Sequence, residues 1–222
     1  AARNVGIDAT VGRVVAFLEG DCVAEPGWIA QRRRRHDEGH AIVASAVTNG
    51  EPRRLAAWGF HFGVFGHRQS GRAAGELAAT DPGAHGCSFD RTVREQVGGV
   101  PPDVRIGEDT IAAHRLAALG FRAWYEPTVR TRHWGPRTTR ELLRDRFWRG
   151  ARRASVRGPV AATWTGVLGH WARASRRSLP RYGRDAGRDH RWFVCSLPWT
   201  AAGDAAALIG QQRAARRAGG AQ

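Results

Sequence analysis

The sequence contains no lysine and no methionine, so all 35 of its basic residues other than histidine are arginine. Its three cysteines, Cys22, Cys87 and Cys195, include no C-x-x-C pair, which argues against a zinc knuckle and a disulfide framework. Free thiols fit a reducing, cytoplasmic compartment. No stretch of about 18 uninterrupted apolar residues occurs, and no membrane-spanning helix is predicted.

The charge of the chain is strongly positive, with a formal net charge of +15 and an isoelectric point near 11.5. Such a charge is typical of nucleic-acid-binding proteins, but an excess of Arg, Ala and Gly is also typical of a GC-rich coding sequence. The aromatic residues do not alternate with the basic runs as a base-stacking surface requires, so no nucleic-acid partner is expected. We expect the surface to attract phosphate groups on a nucleotide, an acidic acceptor or an anionic lipid.

Local patterns predict an α/β fold, because strand-like and helix-like segments alternate along the chain. Strands are predicted at 13–18, 41–48 and 121–126, and helices at 3–9, from Gly27 into 32–35, at 108–120 and at about 139–154. The apolar run 13–18 predicts a buried strand of the parallel type. Thr138 and Glu141 have the spacing of a capping box, and the helix that they open is expected to bury Leu142, Leu143 and Phe147.

Two regions leave alternatives open. In residues 55–67 aromatic residues alternate as in a strand, while the glycines between them favour a mobile loop. Beyond a catalytic domain at 1–158, residues 159–222 are predicted to form a helical, Arg-rich extension. This extension is either an amphipathic element at a membrane surface or a small helical cap packed on the domain.

Acidic residues occur at two positions where chemistry is expected. Glu19 and Asp21 follow the first predicted strand, and ligands bind beyond the carboxyl ends of strands in open α/β sheets. Two carboxylates there could hold a divalent cation against a diphosphate, although acidic turns after strands are common. Glu108 and Asp109 open a predicted helix, where capping is the usual role, and His133 is predicted to lie in a loop.

Other motifs do not meet their requirements. His36 and His40 are four residues apart, but Gly39 disfavours the helix that a metal-binding pair needs. Ser88 lacks the closing glycine of a nucleophile elbow, and Ser88 and Cys87 are interpreted as structural residues.

The order and spacing of these segments resemble family 2 glycosyltransferases of the GT-A fold over about residues 2–155. The matching segments are 2–7 (ARNVGI), 14–21 (VVAFLEGD), 25–29 (EPGWI), 86–91 (GCSFDR), 97–100 (VGGV), 107–110 (GEDT), Arg115-Leu116, Gly120, 125–127 (YEP) and His133. The resemblance implies a mixed, Rossmann-like sheet flanked by helices. It also implies inverting, metal-dependent transfer of a sugar from a nucleotide-sugar to a hydroxyl of a glycan, lipid or small-molecule acceptor.

The resemblance implies a role for each matching residue. Asp21 and His133 would hold Mn²⁺ or Mg²⁺, and the nitrogen ligand of His133 fits Mn²⁺ at least as well as Mg²⁺. Arg3, Asn4, Glu19 and Asp21 would bind the donor, Asp109 would be the general base, and Glu108 would orient the acceptor or the base. Since the segment that grips the nucleobase in this family has no counterpart and the chain lacks a starting methionine, an N-terminally truncated fragment is expected.

The sequence departs from the family pattern at Glu19, where an aspartate is usual, and at Cys87, where an asparagine is usual. Two alternatives stay open, the first because of these departures and the missing nucleobase-binding segment, the second because of the Arg-rich C-terminal extension. One is a non-catalytic nucleotide-sugar or polyanion-binding module on the same fold. The other is an accessory protein that contacts an anionic membrane peripherally, at the cytoplasmic face of the cell membrane.

Overall fold

The computed structural model describes residues 2–78, 86–96, 114–157, 160–161 and 163–219. Two compact units form, and each combines segments that are distant in sequence. Unit 1 comprises residues 1–48 and 73–133, and unit 2 comprises residues 49–72 and 134–222. The sequence analysis divides the chain differently, into a catalytic domain at 1–158 and an extension at 159–222, and that division stays a prediction.

Unit 1 is a mixed sheet with flanking helices, which confirms the α/β class. Its strands are β1 (Val14–Ala16), β2 (Cys22–Ala24), β3 (Ile42–Asn49, whose last residue belongs to unit 2), β4 (Gly75–Ala78), β5 (Cys87–Asp90) and β6 (Arg122–His133). Its helices are α1 (Ala2–Asp8), α2 (Trp28–Asp37) and α4 (Arg91–Gln96). The predicted helices at 3–9 and after Gly27 and the predicted strand at 41–48 are therefore confirmed.

The sheet has the strand order β1-β5-β3-β6-β2, with β4 also pairing with β6. The prediction of a buried parallel strand at 13–18 was wrong, because β1 lies at the end of this order and pairs antiparallel with β5. Only Val15 of its three residues is buried. The most buried strand is β3, whose first six residues are all buried, as expected of a strand covered on both faces.

β6 is twice as long as predicted and does not stop at Pro127. Its first residues, up to Tyr125, pair with β4, and its last three, up to His133, pair with β2. Pro127 lies between these two segments, where neither β4 nor β2 needs the N–H that proline lacks. His133 is therefore the last residue of a strand, and the prediction of a loop there was wrong.

The helix predicted at 108–120 is described only in part. Residues 114–118 are helical, and the rest of the segment before them lies outside the described residues. Gly120 has φ +81°, and the N–H groups of Gly120 and Phe121 donate to the carbonyls of Ala117 and Leu116. This is the predicted glycine cap, and Leu116 packs into the core under the sheet.

Unit 2 is helical. Its helices are α3 (Leu55–Phe65), α5 (Thr139–Arg157), α6 (Trp164–Asp185) and α7 (His190–Gly219), with short 3₁₀ turns at Gly66–Arg68 and Gly187–Asp189. Thr138 and Glu141 form the predicted capping box, each accepting a hydrogen bond from the backbone N–H of the other. The helix buries Leu142, but Leu143 is 37% exposed and Phe147 is half-buried, so that part of the prediction was wrong.

Residues 55–67 are neither a strand nor a loop, because α3 occupies most of this segment. Eight of its eleven residues are buried, and a helix that is apolar on all sides shows no amphipathic period in its sequence. Its glycine at position 59 allows close helix packing, since a Cβ there would lie 2.4 Å from the Cβ of Trp199 in α7. The Trp58 ring stacks on the ring of Trp192, and the Phe62 ring meets the ring of Phe193 edge to face.

The segment Gly187–Ala218 is the one helix in the described part of the chain that is long and apolar enough, by length and composition, to cross a membrane. Pro198 and Asp204, which interrupt the apolar pattern, both lie inside it. A third (33%) of its most apolar window is buried, and the core helix of a soluble protein meets the same criteria of length and composition. Membrane insertion therefore stays untested.

Candidate functional site

Two segments that are distant in sequence meet at one end of the sheet in unit 1. The chain leaves β1, turns through Glu19 and Asp21 with the Cys22 N–H donating to the Glu19 carbonyl at 3.0 Å, and enters β2. Cys22 is the antiparallel partner of His133 at the end of β6. This register places the Asp21 carboxylate Oδ2 3.4 Å from the imidazole Nε2 of His133.

The two side chains of the pair differ in their exposure to solvent. The His133 side chain is 4% exposed and the Asp21 side chain is 50% exposed, so a small ion could reach the carboxylate while the imidazole stays fixed by the strand. Glu19 is half-buried in the same turn. Burial, followed by the negative charge of Asp21, raises the pKa of the Cys22 thiol to about 12, with Glu19 adding to the effect. The turn thus has the negative potential that attracts a cation, and Cys22 remains a thiol.

The end of β6 is held in place by a buried hydrogen-bond cluster. The Trp28 indole Nε1–H donates to the Thr131 hydroxyl at 2.9 Å, and the Ser45 hydroxyl lies 2.8 Å from the same oxygen. Gly86 closes the cluster, since it has φ +61° and a Cβ there would lie 2.2 Å from the Thr131 hydroxyl. These contacts join α2, β3 and β6 two residues before His133, and so they position its imidazole.

A second set of contacts is mediated by Glu25, immediately after β2. Its carboxylate accepts hydrogen bonds from the Thr48 hydroxyl at 2.8 Å and from the Arg132 guanidinium at 3.2 Å. The Glu25 N–H donates to the Arg130 carbonyl, extending the β2 and β6 pairing by one residue. Glu25 and Trp28 belong to the segment 25–29 that resembles the family, but the sequence predicts no role for either, because their partners in β6 are distant along the chain.

The remaining predicted site residues are not all described. Arg3 and Asn4 lie in α1, where Asn4 is half-buried. Glu108 and Asp109, the predicted orienting residue and general base, lie outside the described residues. The structure thus brings together Asp21, His133 and Glu19 of the predicted set.

The motif residues that the sequence analysis interpreted as structural are deeply buried. His36 Nε2 lies 2.9 Å from the Ser88 hydroxyl, and the Arg32 guanidinium donates to the same hydroxyl at 2.9 Å. Burial lowers the pKa of His36 to about 4, with the positive charge of Arg32 acting in the same direction. Ser88 and Cys87 have no exposed surface, and substrate could not reach this cluster.

The chemistry of the Asp21 and His133 pair suits a divalent cation. One carboxylate oxygen and one imidazole nitrogen are ligands that Mn²⁺ accepts, and cations that act on phosphates commonly take only one or two protein ligands. No group of three or more potential ligand side chains is found in the residues that the structure describes. Phosphate oxygens and water would complete the coordination of an ion bound here.

Comparison with known proteins identifies no relative of this chain. No family model matches the chain, and no curated protein sequence matches it.

Proposed function

We propose that the chain is the catalytic portion of a metal-dependent inverting glycosyltransferase similar to family 2 enzymes of the GT-A fold. The observation that carries the proposal is the 3.4 Å approach of Asp21 to His133. Asp21 and His133 belong to different motifs of the family resemblance. Two residues that bind the same cation must lie next to each other, as these two do. A mixed α/β sheet with flanking helices is compatible with this assignment.

In this proposal each residue has a distinct task. Asp21 and His133 hold Mn²⁺ or Mg²⁺, and the cation, when bound, neutralises the leaving diphosphate. Glu19, Arg3 and Asn4 contact the donor. Asp109 accepts the proton of the acceptor hydroxyl while that oxygen attacks the anomeric carbon, and Glu108 orients the acceptor or the base. The donor is a nucleotide-sugar, and the acceptor is a glycan, a lipid or a small molecule.

The cation site is tested with Mn²⁺ and inorganic pyrophosphate, which stands in for the diphosphate. We expect the wild-type chain to bind Mn²⁺ more tightly with pyrophosphate present, and D21N and H133Q each to weaken this binding by at least about tenfold. E76Q and H170Q are matched controls, because Glu76 is exposed on β4 beside Trp124 at the other end of β6, and His170 is exposed on a helix of unit 2. Unchanged Mn²⁺ affinity in D21N would contradict the site.

Sugar transfer is tested separately through Asp109. We expect D109N to abolish release of nucleoside diphosphate from a panel of nucleotide-sugars and acceptors, while its binding of Mn²⁺ with pyrophosphate stays within about twofold of wild type. Full turnover in D109N would overturn the assignment of the base. Metal-dependent nucleotide binding without any turnover in the wild-type chain would favour the non-catalytic binding module.

A further inference from the structure

The outward face of α6 carries a row of arginines. Its members are Arg173, Arg176, Arg177, Arg181 and Arg184, and all five are exposed. Intervals of three and four residues place side chains on one side of a helix, so these five form a single stripe, called here the arginine row. The row extends over about 16 Å of the helix axis.

The opposite side of α6 fixes the orientation of the row. Val167 is 4% exposed and Gly183 is buried, and a Cβ at position 183 would lie 2.9 Å from the ring of Phe193 in α7. The Tyr182 ring packs against Gly66 in the 3₁₀ turn after α3. With this side packed inside unit 2, the arginine row faces solvent.

Ion pairs leave the positive charge of the row in place, as far as the structure describes the chain. In the described part of the chain, none of the five arginines forms an ion pair. The only acid in α6 is Asp185, at its end. Like charges at intervals of three and four residues destabilise a helix, so an anionic surface that bound all five would relieve this repulsion.

The row continues into a surface that is partly apolar. Arg188 and Arg191 follow it and are exposed. In the first turns of α7, Val194 is 49% exposed, and it shares a helix face with Arg191, Cys195 and Pro198, which are exposed as well. Arginines that bind phosphates next to side chains that enter an acyl boundary are typical of a membrane-surface element.

We propose that the arginine row, with the exposed start of α7, binds the surface of an anionic lipid bilayer. The tryptophan and tyrosine residues of α6 are Trp164, Trp171 and Tyr182, and none lies three or four residues from an arginine of the row. Bases bound along the row would therefore find no tryptophan or tyrosine ring of α6 on the same face to stack on, which favours lipid headgroups over a single-stranded nucleic acid. Along α6 the arginines bind lipid phosphates electrostatically, and at the start of α7 the side chains of Val194 and Pro198 insert shallowly into the bilayer. This binding depends only on unit 2 and is independent of sugar transfer.

Vesicle sedimentation with the full chain tests the proposal. Vesicles with about 30% phosphatidylglycerol in phosphatidylcholine are compared with pure phosphatidylcholine at about 0.15 M salt. The row variant is R173Q/R176Q/R177Q/R181Q/R184Q. The scattered control R53Q/R140Q/R144Q/R213Q/R217Q removes five exposed arginines elsewhere, so both variants lower the net charge of +15 equally. Circular dichroism melts establish that each variant is folded.

We expect anionic vesicles to bind the wild-type chain and neutral vesicles not to bind it. Each arginine near the surface contributes about fivefold to the affinity, so the row variant should bind at least about a hundredfold more weakly. The scattered control should lose less than about tenfold, because its five arginines lie outside the surface that the proposal places on the bilayer and charges away from that surface are screened. The smaller variant R176Q/R181Q should lose about twentyfold and serves if the row variant does not fold.

Three results would each overturn the proposal. One is equal loss of binding in the row variant and the scattered control, since this would mean that only net charge matters. Another is equal binding of the wild-type chain to neutral vesicles. The third is complete displacement of the chain from anionic vesicles by RNA at a matched phosphate concentration, which would favour a polynucleotide partner.

Discussion

At the scale of single residues, the candidate site depends on side chains that do not themselves face a ligand. Thr131 accepts the Trp28 indole hydrogen bond and lies against Gly86, where any side chain would displace it. Two residues further along the same strand, the His133 imidazole approaches Asp21. Because strand residues two apart share a face, a shift of Thr131 would be transmitted to His133. The buried cluster therefore acts as a positioning element for the proposed metal pair.

His36 should make the stability of the chain depend on pH. Burial lowers its pKa in the folded state to about 4 from the ordinary value of 6.5, so the unfolded state takes up a proton first as the pH falls. The contribution of His36 is complete above about pH 6.5 and is lost between about pH 6.5 and pH 4. We expect the free energy of unfolding to fall by about 2 kcal/mol between pH 7 and pH 5 from this residue.

Urea unfolding followed by circular dichroism at the two pH values measures this effect. H36Q can still hydrogen-bond to Ser88 but has no titrating ring, so its stability should change less over the same interval. H170Q, which alters an exposed histidine, should keep the wild-type dependence. If H36Q and the wild-type chain lose the same free energy between pH 7 and pH 5, His36 does not remain neutral in the folded state.

At the scale of elements, sequence patterns identified what is local and missed what depends on partners. The capping box at Thr138, the glycine cap at Gly120 and the buried strand β3 were all predictable, because each is set by neighbouring residues. α3 was not, since a helix buried on all sides has an apolar pattern that also fits a strand. The pairing direction of β1 depends on β5, which follows far along the chain.

In the candidate site, too, the contacts between residues that are distant in sequence could not be predicted. The resemblance to family 2 glycosyltransferases implied that Asp21 and His133 share a cation, and in the structure the Asp21 carboxylate lies 3.4 Å from the His133 imidazole. The roles of Trp28, Glu25 and Thr131 could not be predicted, because they arise from the register between β2 and β6. A hydrogen bond between residues so distant in sequence has no local signature.

Close packing of α5 on α7 requires glycine at position 150. A Cβ there would lie 1.8 Å from the carbonyl oxygen of Ala207, and backbone atoms cannot rotate away as a side chain can. We expect G150A to lower the free energy of unfolding by about 3 kcal/mol or more. At Gly169 in α6 the nearest atom to an added Cβ would be the Arg173 guanidinium at 3.2 Å, on a flexible side chain. Because alanine favours the helix more than glycine does, we expect G169A to raise the free energy of unfolding by about 0.5–1 kcal/mol.

Thermal and urea unfolding of the two variants beside the wild-type chain check this prediction. The substitution is the same in both and each position lies within a helix, so helix propensity alone would change their stability in the same direction. Opposite signs would show that contact between α5 and α7 decides the outcome at position 150. Stabilisation by G150A would contradict the close packing of these helices.

At the scale of the whole molecule, the net charge of +15 sets the response to salt. Many of the ion pairs are exposed, such as Arg33 with Asp37 and Arg122 with Glu76, and pairs of this kind contribute only about 0–1 kcal/mol each. The excess of arginines repels itself at long range, and the Debye length falls from about 30 Å at 0.01 M to about 8 Å at 0.15 M salt. Screening should therefore weaken the repulsion more than it weakens the pairs.

We accordingly expect the melting temperature to rise when NaCl is raised from about 0.01 M to about 0.15 M. The scattered variant R53Q/R140Q/R144Q/R213Q/R217Q carries five fewer positive charges, and its melting temperature should rise less over the same interval. Differential scanning calorimetry of both proteins measures the two slopes. A melting temperature that falls with salt would mean that the ion pairs of the folded chain outweigh its net repulsion, because screening weakens both and the larger contribution decides the sign.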